Sequence, residues 1–207
     1  METQAAASTP RGKRTREAIV DAAAALMYVD GVAGTSVDKV LAASGAGKSQ
    51  MYHYFKNKEQ LVEAVIDRYV EQILANQPAI FTLSSWADLE SWTEQLLDVH
   101  RRAGTPVACP LGNLAGEVGD NPKLAPLVDQ AYRQWESHLV RGLTTLRDKG
   151  ELAPDADPAR LAQAAMTSVQ GGLLLAHIRH DLTALEDALS IALAYLRGHQ
   201  VVSGQGG

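Results

Sequence analysis

The sequence predicts an all-α protein of about nine helices, and three observations predict it. Apolar residues recur at three- and four-residue spacing along nearly the whole 207-residue chain. The breaks between these patterns are helix caps and helix stops rather than hairpin turns. The short apolar runs lack the β-branched alternation that a half-buried strand needs.

Taken in order, Ile19, Ala22, Ala23, Leu26 and Met27 mark an amphipathic helix over roughly residues 14–30, stopped by Gly31. Thr35-Ser36-Val37-Asp38 reads as a capping box, with Asp38 in place of the usual Glu, opening a short helix to about Ala43. Gly45 and Gly47 break it, and a second short helix covers Lys48 to Phe55. A long helix follows from Lys58 to about Asn76, with Leu61, Val65, Tyr69 and Ile73 on one stripe. Pro78 ends it, and Gln77–Ser84 reads as a linker.

Ser85 with Asp88 caps the next helix, which carries Leu89, Trp92, Leu96, Leu97 and His100 until Gly104 and Pro106 stop it. Cys109–Gly119 is a short segment whose first residues, Cys109-Pro110-Leu111-Gly112-Asn113, look like a helix start. Asn121-Pro122 opens a long helix to Lys149-Gly150 that presents Leu127, Ala131, Trp135, Leu139 and Leu146. Asp157-Pro158 repeats that signal before a helix reaching about His180. Thr183 caps a last helix to Leu196, and VVSGQGG is expected to be a frayed tail.

Composition narrows the function classes. Hydrophobic residues at 46% and charged residues at 21% describe a folded globular chain. No apolar run approaches the ~18 residues of a membrane span, and no apolar core follows the N-terminal charges, so a cytoplasmic protein without membrane contact is expected. A single cysteine, Cys109, excludes an internal disulfide and a Cys-rich zinc site. No metal or cofactor is expected. The net charge of −5 is unevenly placed: residues 1–58 hold 8 Lys/Arg against 5 Asp/Glu, and the remainder holds 11 against 19. Arg11, Lys13, Arg14 and Arg16 crowd ahead of the first apolar pattern, as in a flexible basic arm leading into a nucleic-acid-binding module.

One stretch, Ser44-Gly45-Ala46-Gly47-Lys48-Ser49-Gln50-Met51-Tyr52-His53-Tyr54-Phe55, admits two chemistries. Gly47-Lys48-Ser49 could close a phosphate-cradling loop of a nucleotide-binding enzyme, but that loop needs a glycine five residues before Gly47 and a strand ahead of it. The position holds Ala42, inside a helical pattern. The competing reading is a helix, a glycine-bearing turn and a two-turn second helix, flanked by supporting helices, which is a helix-turn-helix.

Here the sequence resembles the TetR family of transcriptional repressors. The resemblance rests on Arg16-x-x-Ile19-x-x-Ala22, Gly31, Thr35-Ser36-Val37, Ala43-Ser44-Gly45, Lys48 to Phe55, and Tyr52-x-x-Phe55-x-x-Lys58-Glu59-x-Leu61, over roughly the first third of the chain. It implies a three-helix DNA-binding head, placed at residues 1–58, and a divergent ligand-binding and dimer-forming body at residues 59–207. The family usually has Val-Ser before its recognition helix, where this chain has Ala46-Gly47, and often Gly-Thr where it has Ser49-Gln50.

On a helix from Lys48 to Phe55, Met51 and Phe55 face the core while Lys48, Ser49, Gln50, Tyr52 and His53 point outward. Lys48 is suited to guanine, Gln50 to a bidentate pair with adenine, and Tyr52 and His53 to phosphates or thymine methyls. Thr35, Ser36, Tyr54 and Lys58 are placed for backbone contacts. Two such heads are needed for useful affinity, which implies a homodimer on double-stranded DNA.

The last two helices, with Met166, Val169, Leu173, Leu174, Ile178, Leu185, Leu189, Leu193 and Leu196, are the expected interface, with Gly171-Gly172 allowing close approach. Trp92, Leu96, His100, Cys109, Asn113, Trp135, Leu139, Met166, Gln170, Leu173 and His177 are the candidate lining of a small-molecule effector site. The six histidines are scattered, with only His177 and His180 close in sequence, so an enzyme is not expected. The reading is a ligand-responsive repressor of a palindromic operator. The alternative is a DNA-binding dimer without an effector, its body serving protein interaction.

Overall fold

Thr9 sets the start of the first helix. In the computed structural model, which describes residues 9–103 and 108–201, the Thr9 hydroxyl accepts from the Gly12 N–H at 3.0 Å and Pro10 fills the first turn. Helix α1 therefore runs Pro10–Gly34. Arg11, Lys13, Arg14 and Arg16 lie on its first two turns rather than on a flexible arm, because the Thr-Pro start signal stands upstream of the apolar periodicity. Gly31 interrupts the helix at φ 73°, where a side chain is strained, and a Cβ there would lie 2.7 Å from Glu117 Oε2.

Helix α2 spans Val37–Ser44 with Ser36 as its N-cap, the hydroxyl accepting from Lys39 N–H at 3.2 Å. The third helical residue is thus Lys39, so the box expected between Thr35 and Asp38 is one residue out of register. A left-handed Gly45 (φ 67°) turns the chain into α3, Lys48–Tyr54. Helix α4 covers Lys58–Ala75. Asn57 Oδ1 accepts from Gln60 N–H and Gln60 Oε1 from Lys56 N–H, both at 2.9 Å, an Asn-x-x-Gln cap present in the sequence but not recognised there.

The chain divides into two compact units: residues up to Glu71 with Pro110–Ala131, and Gln72–Cys109 with the residues from Tyr132 onward. The functional division expected after residue 58 falls inside the first unit, near the start of α4. That unit holds α1 to α3, most of α4, helix α6 (Pro110–Val118) and the first turns of α7 (Ala125–Asp148). Ile19, Ala23, Met27, Val40, Met51 and Phe55 are buried in it. Tyr69 of α4 donates to the Ala24 carbonyl at 2.8 Å, and Arg68 pairs with Asp21 at 3.2 Å. Helix α7 starts later than Asn121-Pro122 suggested. Asn121 Oδ1 accepts from Lys123 N–H (2.9 Å) and Leu124 N–H (3.2 Å), a side-chain turn that occupies those residues first.

In the second unit, Gln77–Ser84 is not a free linker. Pro78–Phe81 forms a 3₁₀ turn, and Gln77, Ile80 and Leu83 are buried. Helix α5, Trp86–Ala103, follows under the expected Ser85 and Asp88 caps. Gly104 and Pro106, its expected stops, and the VVSGQGG tail beyond Val201 lie outside the described residues. Asp157 caps α8, Pro158–Arg179, which ends at a left-handed His180. Helix α9 is Thr183–Arg197, and its capping acceptor is Asp181 rather than Thr183, taking the Thr183 N–H at 3.1 Å and its hydroxyl at 2.9 Å. Among the described residues there is no strand, only an isolated antiparallel bridge between Leu152 and Gln200.

Helices α8 and α9 pack closely: a Cβ on Gly172 would stand 2.6 Å from Ala188 Cβ. This consumes much of the stripe expected at a dimer interface. Met166, Val169, Leu173, Leu185, Leu189 and Leu196 are buried within the chain itself, while Leu174 and Ile178 remain exposed.

Two glycines separate conformational from packing cost. Gly31→Ala is expected to lower stability by roughly 1–3 kcal/mol, because the positive φ and the Glu117 carboxylate both oppose a Cβ. Gly116→Ala, inside α6 with open space at its Cβ, is expected to add roughly 0.5–1 kcal/mol. Urea unfolding of the two variants beside wild type checks both signs.

Candidate nucleic-acid interface and effector site

A seven-residue helix has little stability of its own, so α3 is held by what it buries. Met51 and Phe55 are 1% and 3% exposed, and the Arg16 guanidinium of α1 sits 5.4 Å over the Phe55 ring. With that face committed, Lys48, Ser49, Gln50, Tyr52 and His53 are exposed together on the other, and Tyr54 is half-buried. Gly47 supplies no side-chain cap; in its place Gln50 Oε1 accepts the Gly47 N–H at 2.9 Å.

The four residues assigned to backbone contacts divide. Ser36 is exposed, with its hydroxyl proton still free to donate after Oγ has accepted from Lys39. Thr35 is 1% exposed and its hydroxyl donates to the Gly31 carbonyl at 2.8 Å, so its side chain is an internal brace and not a surface contact. Lys58 is half-buried and donates to the Val32 carbonyl at 2.5 Å, which spends one of its three donors on the turn after α1.

That turn is held from several sides. Glu117 of α6 accepts the Val32 N–H at 2.7 Å, and Ala33 N–H lies 3.5 Å from the same oxygen, while Lys39 pairs with Asp30 at 2.8 Å and reaches the Gly34 carbonyl at 3.0 Å. Lys123 pairs with Glu59 at 2.9 Å. Nothing in residue spacing signals Glu117, whose partners are 85 and 84 residues away. Burial, then the neighbouring Tyr28 and Glu117 charges, push the Tyr69 phenol above its ordinary range, so it stays a neutral donor to Ala24.

In the second unit, the indole N–H groups of Trp92 and Trp135 converge on one acceptor, Gln77 Oε1, at 2.8 and 3.3 Å. Gln77, on the stretch expected to be a linker, is 5% exposed, and its role depends on tryptophans of two different helices. Trp92, Leu96, Trp135, Leu139, Met166 and Leu173 are each buried in this unit. Tyr132, absent from the sequence-based set, donates to Gln170 Oε1 at 3.2 Å. Burial, followed by the nearby Cys109 thiol, raises the Tyr132 phenol.

His100 is 8% exposed, its Nδ1 has no hydrogen-bond partner among the described residues, and burial holds its pKa below the ordinary histidine value. Gln170 Nε2 is likewise buried and unpaired. Of the other residues in that set, His177 is exposed, its ring edge-on to His180, and Asn113 is exposed and belongs to the first unit. Among the described residues no group of His, Cys, Asp and Glu could hold a metal, and no helix is long and apolar enough to cross a membrane.

Comparison with known proteins bears on both units. Residues 19–65 match the family model of bacterial regulatory proteins of the tetR family, and residues 86–192 match the tetracyclin repressor-like C-terminal domain. An uncharacterized HTH-type transcriptional regulator from the lacX 3′ region of Lactococcus lactis is 31% identical over 179 residues, covering 84% of this chain and 89% of that protein. The HTH-type transcriptional repressor ComR of Escherichia coli is 27% identical, with 88% and 87% covered. The crystal structure of a TetR transcriptional regulator from Chloroflexus aurantiacus superposes with a TM-score of 0.79 at 29% identity, covering 93% of this chain and 98% of that one.

Two outcomes follow for the second unit. Gln77→Leu leaves two buried indole N–H groups unpaired and is expected to cost about 1–3 kcal/mol for each, read by chemical denaturation. His100, held neutral by burial, contributes stability that is complete above its unfolded value of 6.5 and is lost as pH falls through the lower folded value. The drop in melting temperature between pH 7.5 and 5.5 is therefore expected to be smaller in His100→Asn than in wild type.

Proposed function

The chain belongs to the TetR family of transcriptional regulators, and from that premise we propose that it is a repressor that binds a palindromic operator as a homodimer and leaves it when a small molecule fills the second unit. The observation that carries the DNA-binding part is the single exposed polar face of α3, Lys48, Ser49, Gln50, Tyr52 and His53, opposite buried Met51 and Phe55. An α-helix with that face fits the major groove, where Lys48 reaches base acceptors and Tyr52 and His53 reach phosphates. Ser36 and the basic first turns of α1 supply charge and donors to the backbone. The protein works in the cytoplasm, where its DNA is.

One α3 helix makes too few contacts for useful affinity, so two heads must be joined. The surface that can join them is narrower than the sequence suggested: Leu174, Leu175 and Ile178 on α8 with Ile191 and Tyr195 on α9. Leu174 and Ile178, and Ile191 and Tyr195, are four apart, so each pair lies on one helix face. A two-fold axis through that patch covers apolar side chains that water otherwise contacts.

The effector site is the layer around Trp92, Trp135, Gln77, Tyr132 and Gln170. Apolar walls with a few buried, unpaired polar atoms, His100 Nδ1 and Gln170 Nε2 among them, suit a mostly apolar molecule with one or two hydrogen-bonding groups. Its effect on DNA requires a difference in affinity between two conformations. Helix α4 carries residues of both units, and α6 begins directly after Cys109 and bears Glu117, the acceptor for the turn that follows α1. A ligand that shifts α4 or α6 thereby alters how α2 and α3 are held.

Light scattering of the purified chain is expected to give twice the 22.2 kDa of one copy. Leu174→Glu with Ile178→Glu is expected to return it to the single-chain mass with helix content intact, and to weaken operator binding in a gel shift at least about tenfold. A wild-type mass of one chain overturns the dimer. Full operator occupancy in the presence of every member of a compound library that raises the melting temperature favours a dimer without an effector.

A further inference from the structure

Gln50 occupies the centre of the exposed face of α3, yet its amide is not free. Its Oε1 accepts the Gly47 N–H at 2.9 Å. An N–H can pair only with an acceptor, so the amide orientation is set by chemistry: Oε1 faces the helix start and Nε2, with both its hydrogens, faces away. The bond is needed where it is. Gly47 has no side chain to cap α3, and the helix has only seven residues. At the next helix start the same work is shared, with Asn57 accepting from Gln60 N–H and Gln60 accepting from Lys56 N–H. At α3, Gln50 works alone.

A glutamine that recognises adenine uses both ends of its amide, Nε2 donating to N7 and Oε1 accepting from the N6 amino group. A capped Gln50 has committed its acceptor. Moving Oε1 to an adenine exchanges one hydrogen bond for another and unties the first turn of the helix that carries Lys48 and Ser49, whereas keeping the cap leaves two N–H donors to add new bonds.

We propose that Gln50 reads the operator as a donor only, keeping Oε1 on Gly47 and offering Nε2–H to the N7 and O6 acceptors of a guanine. It is then a specificity-determining residue that selects guanine over adenine at its base pair. The inference rests on α3 being the element that enters the groove, and it assigns to Gln50 a base different from the one its side-chain type suggests.

The test uses the full-length protein. Duplexes are selected from a random pool by wild type, Gln50→Ala and Gln50→Glu. The glutamate keeps a carboxylate oxygen for the Gly47 N–H but has no donor. The base pair assigned to Gln50 is the one whose preference Gln50→Ala abolishes. There, wild type is expected to require guanine, and 7-deazaguanine is expected to weaken its binding roughly tenfold or more. Gln50→Glu is expected to lose the guanine, moving toward cytosine, whose N4 amino group donates to a carboxylate. Its melting temperature should match wild type, while Gln50→Ala falls below both. Wild-type selection of adenine at that pair, with binding lost when the N6 amino group is removed, overturns the proposal, as does an unchanged guanine preference in Gln50→Glu. If wild type enriches no sequence, the groove reading of α3 falls first, and this inference with it.

Discussion

A two-turn helix exists here because Met51 within it and Phe55 at its C-cap are buried. Isolated, α3 could not offset the entropy of its own nucleation. Met51 and Phe55, four residues apart, anchor it in a core completed by α1, and that anchoring turns the remaining side chains of the helix outward as a set. The exposed polar face is thus a consequence of packing. Everything the head can do to DNA depends on this one commitment, and so does the cap by Gln50, which holds a helix start that glycine leaves bare.

The turn after α1 shows a second kind of economy. Gly31 leaves the helical region, freeing the Val32 and Ala33 amides, and a carboxylate from residue 117 receives the former at 2.7 Å. Thr35, Lys39 and Lys58 satisfy carbonyls of the same few residues. Polar side chains that a surface reading gives to DNA are spent here on backbone groups that would otherwise lack partners. In the second unit Gln77 plays the corresponding part for two indoles, which lets tryptophans pack fully inside without stranding their N–H groups.

Much of this was legible in the chain. Helix positions followed from the spacing of Ile19 to Met27, the Ser85/Asp88 and Asp157-Pro158 caps and the glycines at 31, 45 and 150, because these are local rules. The misjudged starts were also local, and failed where two signals competed. Thr9-Pro10 began α1 before its apolar face did, Asn121 folded a turn before Pro122 could open a helix, and Asp181 took the cap expected of Thr183. In the last two, a short Asn or Asp side chain accepts nearby amides ahead of the other signal.

By itself the sequence determined the all-α class, the helix-turn-helix at its front and the inward placing of Met51 and Phe55, since each depends on residues within a few positions of one another. Only the tertiary structure decided which apolar stripe of α8 and α9 remains exposed, because both stripes have helical period and neighbours alone settle which is covered. It also decided that Thr35 and Gln77 are buried, that Asn113 and His177 are exposed, and that Glu117 serves a turn 85 residues away. The physical reason is common to all of these: a hydrogen bond or a burial between distant residues leaves no period in the chain, and it exists only once the helices have met.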